Sequence, residues 1–372
     1  MKKCDVIITY CWNRVGYNIL KSLASKGLNV VVADTSKYNI CSISKFSIGS
    51  FVYPNPFSQE EDFVNCLIDK IAELRPQVLI PTHDESIIIA RNRDKFPASL
   101  IIPIELEDKL MKLSNKIVAT KLAQDAGIPT PTIFNCANSI INYPVVFKTS
   151  LGNSAKGVFF PKCYNDLERL ISEHKNTETF IQEYVEGVDF CVDCIRYPNF
   201  FYASVYKALI TKTAGGGTTT QRIIVDNPSL IQYAKSFLDY VDYNGVCGLD
   251  FKVDTDNNAY FIECNARYTG GLATPIAAGF DIPYIHYTLA TKGNFNENIN
   301  LKVGTKTKWI LGDIITLVGR ILSLKFESKE IKQLFKLKFD DFDDFSRNDK
   351  KAILGEFAYY FHKLIKNRKL NP

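Results

Sequence analysis

The chain has 372 residues, 46% of them hydrophobic and 23% charged, with a formal net charge of +5. That length predicts two or more domains, each large enough to bury its own core. The balance is that of a soluble globular protein. It excludes a disordered or membrane-spanning composition, and so small a net charge gives no reason to expect nucleic acid as a partner.

The first third alternates between strand and helix patterns. Val6 to Thr9 reads as a buried strand, Val15 to Lys26 as an amphipathic helix stopped by Gly27, and Leu28 to Ala33 as a second strand. Phe51 to Tyr53, a helix from Gln59 to Leu74 and a strand from Val78 to Ile80 continue the alternation, which predicts a parallel sheet with helical crossovers. The turn after the first strand, Tyr10-Cys11-Trp12-Asn13-Arg14-Val15-Gly16, lacks the glycines that let a backbone approach a dinucleotide pyrophosphate. After a connecting segment from Ile101 to Leu113, Ser114 is the expected cap of a helix from Asn115 to Ala126. Gly127, Pro129 and Pro131 end that helix.

From Val145 onward the pattern changes to longer strands with Gly- and Asn-bearing turns, which predicts an antiparallel α+β region. One helix is expected near Asn165 to Lys175 and another from Ser229 to Val241. Beyond about Lys302 the pattern is mostly helical, and the last helix places Phe357, Phe361 and Leu364 on one side, as in a helix docked on the body. The longest apolar stretch, Trp309 to Leu324, is broken by Asp313 and Arg320 and is too short for a bilayer. The first residues do not read as a signal peptide, so the ten cysteines are expected as reduced thiols in a cytoplasm. Cys191 and Cys194 have CxxC spacing but lie on a strand pattern that sends them to opposite faces, with no second pair nearby.

Three segments carry chemistry. In Tyr260-Phe261-Ile262-Glu263-Cys264-Asn265-Ala266-Arg267, a strand puts Glu263 and Asn265 on one face, and Arg267 joins them if the extended conformation persists. A hairpin partner strand, Gly248-Leu249-Asp250-Phe251, would add Asp250. Two carboxylates and an amide oxygen beside a guanidinium suit a hard divalent cation next to a phosphate. The second segment ends an apolar strand with Lys148, costly to bury without an anion, and continues into the small polar loop Thr149 to Gly157. The third, Phe180 to Asp189, is an apolar strand that turns at Gly187.

In this order the three segments resemble the ATP-grasp superfamily, in its carbamoyl-phosphate-synthase and biotin-carboxylase-like branch, over roughly Met1 to Thr291. The resemblance implies a Rossmann-like domain over residues 1–113. It implies an ATP-grasp domain over 114–300, with a lid at about 133–185, and a helical extension over 301–372. It further implies that Lys116 and Lys148 contact ATP phosphates under a flexible loop containing Ser154. Gln182, Glu183 and Val185 form the adenine hinge, and Asp189 holds the ribose, one methylene shorter than the family's usual glutamate. Asp250, Glu263 and Asn265 match the family's Mg²⁺ or Mn²⁺ ligands, and Arg267 its arginine near the transferred phosphoryl group. Cys264 and Ala266 replace commoner neighbours in that strand.

The implied activity is ADP-forming ligation, in which a small-molecule carboxylate is activated as an acyl phosphate for attack by an amine. A homo-oligomer is compatible with it. The glycine-rich stretch Lys212 to Arg222 is read as a substrate-side loop on which Arg222 or Lys207 pairs with the acceptor, against a plain surface turn. The alternatives are a kinase, a carboxylase, and a non-catalytic ATP-binding module.

Overall fold

The structure is a computed structural model that describes residues 3–152, 157–213, 216–322 and 338–367. Strands β1 (Val6–Ile8), β2 (Val30–Asp34), β3 (Gly49–Val52) and β4 (Val78–Ile80) form a parallel sheet in the order β3-β2-β1-β4. The apolar runs of β1, β2 and β4 are short and wholly buried, as in a sheet covered on both faces, whereas the edge strand β3 is mostly exposed. The helix Arg14–Ser25 follows β1, and Asn13 caps it by accepting from the Val15 and Gly16 amides. Gly27 follows with φ of 83°, the left-handed region expected of a glycine stop.

A small antiparallel sheet comes next: β5 (Ile133–Phe134), β6 (Val145–Thr149), β7 (Val158–Phe159) and β8 (Thr179–Glu183), in the order β5-β8-β6-β7. The largest sheet holds β9 (Val188–Tyr197), β10 (Phe200–Thr213), β11 (Gly216–Val225), β12 (Gly245–Val253), β13 (Ala259–Asn265), β14 (Lys306–Lys308) and β15 (Asp341–Phe342). Its order is β13-β12-β9-β10-β11-β14-β15. On β9 the two-residue side-chain period sorts the faces. Val192 and Cys194 enter a core with Leu249, Phe251, Phe261 and Phe237, and Cys191 packs on the other side with Tyr206, Ile224 and Ala278. The opposite-face reading of Cys191 and Cys194 therefore holds.

Three local expectations shift. Ser114 ends a helix, Glu107–Ser114, within the stretch read as a connector, and Asn115 caps the next one, accepting from Ile117 and Val118. The C-terminal part adds strands β14 and β15 to the large sheet besides its helices Ile310–Leu322 and Ala352–Asn367. The last helix docks through Ala352, Glu356 and Tyr360, all buried, with Gly355 against the Asn39 carbonyl, while Phe357 and Phe361 face outward. Only a glycine lets that backbone come so close. The Leu364 side chain lies outside the described residues. Among the described residues no helix is long and apolar enough to cross a membrane.

Candidate active site

The hairpin of β12 and β13 sets Asp250 directly opposite Glu263, with Gly248 opposite Asn265. Asn265 Nδ2 donates to Asp250 Oδ2 at 3.1 Å, leaving the amide oxygen for another partner. Burial raises the Asp250 carboxyl well above the ordinary carboxylate range, and the neighbouring Glu263 charge adds to the rise. All three metal-ligand candidates thus converge. Among the described residues no group of three or more His, Cys, Asp and Glu side chains gathers to hold a metal, and the three candidates together offer two carboxylates and one amide oxygen. Hard oxygen donors of this kind, in a site where two carboxylates repel, fit Mg²⁺.

Two lysines close on this pair. Lys116, buried at the start of the helix Lys116–Asp125, has its Nζ 3.4 Å from Glu263 Oε2 and donates to the Gly152 carbonyl. Lys148, on β6 and 5% exposed, donates to the Gln182 side-chain oxygen across the strand pair at 2.9 Å. Burial lowers the Lys148 ammonium to about 8, with Glu263 opposing and Lys116 and Lys252 reinforcing the fall. A cation this deep with a neutral amide as its hydrogen-bond acceptor is under-compensated, as expected where an anion belongs.

The remaining candidates are distributed around these groups. Gln182 is committed to Lys148, with its amide nitrogen 3.4 Å from the Pro131 carbonyl. The Glu183 side chain is turned back onto Thr132, accepting from its amide and hydroxyl. Val185 lies in the unpaired run between β8 and β9. Gly187 then crosses the Val253 carbonyl so closely that a Cβ would collide. Asp189 forms an ion pair with Lys252 at 2.6 Å, the cross-strand neighbour on β12. Ser154 lies outside the described residues, as do the rest of 153–156 in its loop and residues 214–215 of the glycine-rich stretch.

Arg222 corrects the sequence reading. It sits on β11, fully buried, bonded to Asp343 and to the Gly270 carbonyl, rather than on a loop facing an acceptor. Lys207 points to the other face of the hairpin, near the Phe190 ring, because the Cβ alternation separates it from Arg222.

Arg267 reaches a residue that sequence reasoning missed. Its Nε donates to Asp84 Oδ1 at 3.1 Å, joining the bend just past β13 to the loop after β4. His83 in that loop stacks on Tyr10, which leaves β1 with φ of 58°, and Tyr10 in turn meets Phe57 edge-on. These side chains gather at the carboxyl ends of β1 and β4, where the strand order reverses direction, the usual place for ligands in an open parallel sheet. A groove of about 280 Å³ opens there, lined by Phe57, Glu60, Asp84, Ile87 and Arg91 among others. The signal available in the sequence was the run Thr82-His83-Asp84-Glu85 directly after a buried strand.

Residues 175–312 match the family described as ATP-grasp in the biosynthetic pathway with Ter operon. No curated protein sequence matches the chain. Among solved structures, biotin carboxylase from Campylobacter jejuni aligns with a TM-score of 0.66 at 14% identity, over 81% of this chain and 74% of that one. The L-amino acid ligase from Bacillus licheniformis aligns at 0.62 and 15% identity, over 78% and 75%. The N5-carboxyaminoimidazole synthetase from Staphylococcus aureus, complexed with ADP, aligns at 0.64 and 16% identity, over 82% and 80%. The chain thus has the fold of the ATP-grasp structures it aligns with, and its residues 175–312 match an ATP-grasp family model.

Proposed function

We propose that the protein is an ADP-forming ligase that activates a small-molecule carboxylate with ATP and passes the acyl group to an amine. The observation that carries this reading is the convergence of Asp250, Glu263 and Asn265 with the buried Lys116 and Lys148. A non-catalytic module that merely held a nucleotide would not require opposed carboxylates, which destabilise the free protein.

In this reading Asp250, Glu263 and the Asn265 amide oxygen would hold Mg²⁺, which would supply positive charge to neutralise the phosphates. Lys116 and Lys148 pair with the phosphates, and the nucleotide's negative charge restores the Lys148 ammonium that burial weakens. The backbone between Glu183 and Val185, outside the strand pairing, reads the adenine edge. Asp189 takes the ribose hydroxyls beside Lys252. Arg267 stabilises charge on the phosphoryl group in flight, held toward the groove by Asp84. The groove beside Asp84, where Arg91 is ion-paired with Glu60, receives the acid and amine substrates. Substrate carboxylate attacks the γ-phosphorus, ADP leaves, and the amine displaces phosphate from the acyl carbon, losing a proton.

The test is Mg²⁺-dependent release of ADP and phosphate by the purified protein, with pooled carboxylates supplied with and without pooled amines. Release that needs both pools and disappears in Glu263→Gln supports the ligase. Formation of AMP in place of ADP would refute it.

A further inference from the structure

The turn that follows Arg267 is held by two buried arginines from different parts of the chain. Arg14 Nε donates to the Gly270 carbonyl at 3.1 Å and Arg222 Nη1 donates to the same oxygen at 3.2 Å. Arg14 comes from the first helix of the N-terminal sheet, and Arg222 from β11. Two guanidiniums converging on one carbonyl repel each other, and each is almost fully withdrawn from water. The group that makes the arrangement tenable is Asp343, itself fully buried, whose Oδ2 lies 3.1 Å from Arg14 Nε and also accepts from Arg222.

Asp343 belongs to the C-terminal segment, beyond residues 175–312 that match the ATP-grasp family model. Its own backbone is fixed on both sides. Its amide donates to the Lys308 carbonyl at 2.9 Å, and its carbonyl accepts from Asn18 at 2.8 Å. Neighbouring groups brace the same joint. Arg14 lies over the Trp309 ring at 3.9 Å, Trp309 donates to Glu356, and Asp344 accepts from the first amides of the helix Ile310–Leu322. The clamped turn is tight. Thr269 donates to Asp193 at 2.6 Å, and a Cβ on Gly270 would lie 2.9 Å from Arg14 while one on Gly271 would strike Tyr206. Gly270 lies three positions after Arg267, so a turn that slips moves the arginine.

We infer that Asp343 is a positioning residue. By neutralising Arg14 and Arg222 together it keeps both on the Gly270 carbonyl, fixes the 268–271 turn, and thereby aims Arg267 at the site. The C-terminal segment is on this account part of the catalytic framework rather than an appended tail. The inference rests on the ligase reading for the role of Arg267, but the clamp itself is measurable without turnover.

The experiment compares the full chain with Asp343→Asn by hydrogen exchange, calorimetric ATP binding and Mg²⁺-dependent ADP release. Exchange in peptides spanning 266–273 should rise about tenfold while β12 stays protected, since a local opening leaves the global fold intact. ATP affinity should stay within about twofold, and turnover should fall by about a hundredfold, the usual cost of misplacing a catalytic group by an ångström. Unchanged exchange at 266–273 overturns the clamp, and loosening without loss of turnover overturns the positioning role. If Asp343→Asn loosens β12 as well, Arg14→Lys decides. It keeps a cation beside Asp343 but removes the fork that reaches Gly270, so an unloosened turn in that variant refutes the clamp. A wild-type protein that releases no ADP from any pool defeats the ligase reading, and the exchange data still decide the clamp.

Discussion

Asp250 and Glu263 face each other across β12 and β13, and Asn265 donates to Asp250 between them. The raised Asp250 carboxyl binds a proton in the folded chain at pH values where the unfolded chain has already lost it. Stability therefore falls as pH rises from the ordinary aspartate range through the folded value. Asp250→Asn removes the repulsion and keeps the shape. We expect it to leave the metal-free protein as stable as wild type or more stable by roughly 1 kcal/mol. It should also abolish the extra thermal stabilisation by Mg²⁺ and ATP. Melting curves with and without Mg²⁺-ATP check this, and a variant that keeps the wild-type Mg²⁺-dependent shift would sink the metal assignment.

Lys148 makes a second titration visible. In the folded protein its ammonium loses a proton near pH 8, whereas the unfolded chain keeps its own to the ordinary lysine range. The unfolded state thus binds more protons between these values, and stability rises with pH across that window. Nucleotide binding acts oppositely, because phosphate favours the charged lysine. ATP affinity should fall by about tenfold per pH unit above pH 8, with proton uptake on binding. Calorimetry in buffers of different ionisation enthalpy measures that uptake. In Lys148→Met both the uptake and this slope should vanish, and a slope that persists in the variant contradicts the role.

Gly271 and Gly27 separate two reasons for glycine. At Gly271 a Cβ would lie 2.5 Å from the Tyr206 ring, which is buried against Cys191 and Ile224, so Gly271→Ala should cost roughly 1 to 3 kcal/mol through overpacking. Gly27 has φ of 83° and open space around its Cα, so Gly27→Asn should cost a few tenths of a kcal/mol, about the scale of a tolerated left-handed residue. Urea midpoints for the two variants give the comparison. Equal destabilisation would contradict the steric account of Gly271.

The sequence was most readable where one residue type has one local reason. Period-two alternation in β13 placed Glu263 and Asn265 on one face, and a lysine ending the apolar run of β6 marked Lys148. Contacts made across long separations left no such trace. Asp84 and Arg267 stand 183 positions apart, and Arg222 and Asp343 stand 121 apart, so neither pairing has a local signature. Arg222 followed a glycine-rich run that read as an exposed loop, yet strand pairing with β10 and β14 buries it. The last helix misled for a related reason. Its aromatic stripe at Phe357 and Phe361 has the spacing of a docking face but lies outward, while Ala352, Gly355, Glu356 and Tyr360 form the face that docks.

Arg267 and Asp84 give the most direct test of where chemistry happens. The ion pair is partly buried, with the arginine side chain 15% exposed and the aspartate 36%. It is therefore worth little as a stability element. It does hold the Arg267 guanidinium across the gap between the bend past β13 and the loop after β4. Arg267→Ala should leave the fold and ATP binding intact and lower ADP formation by about a hundredfold or more, as expected for a group that stabilises charge developing in the transition state. Asp84→Asn keeps a hydrogen-bond acceptor for Arg267 but drops the charge, so its defect should be smaller and fall mainly on KM for the amine or acid placed in the groove. The measurement is a set of initial rates over ATP and acceptor concentrations for both variants. If Arg267→Ala instead raised the KM for ATP alone with kcat unchanged, the arginine would be a ground-state nucleotide contact, and the groove beside Asp84 would lose its link to the reaction.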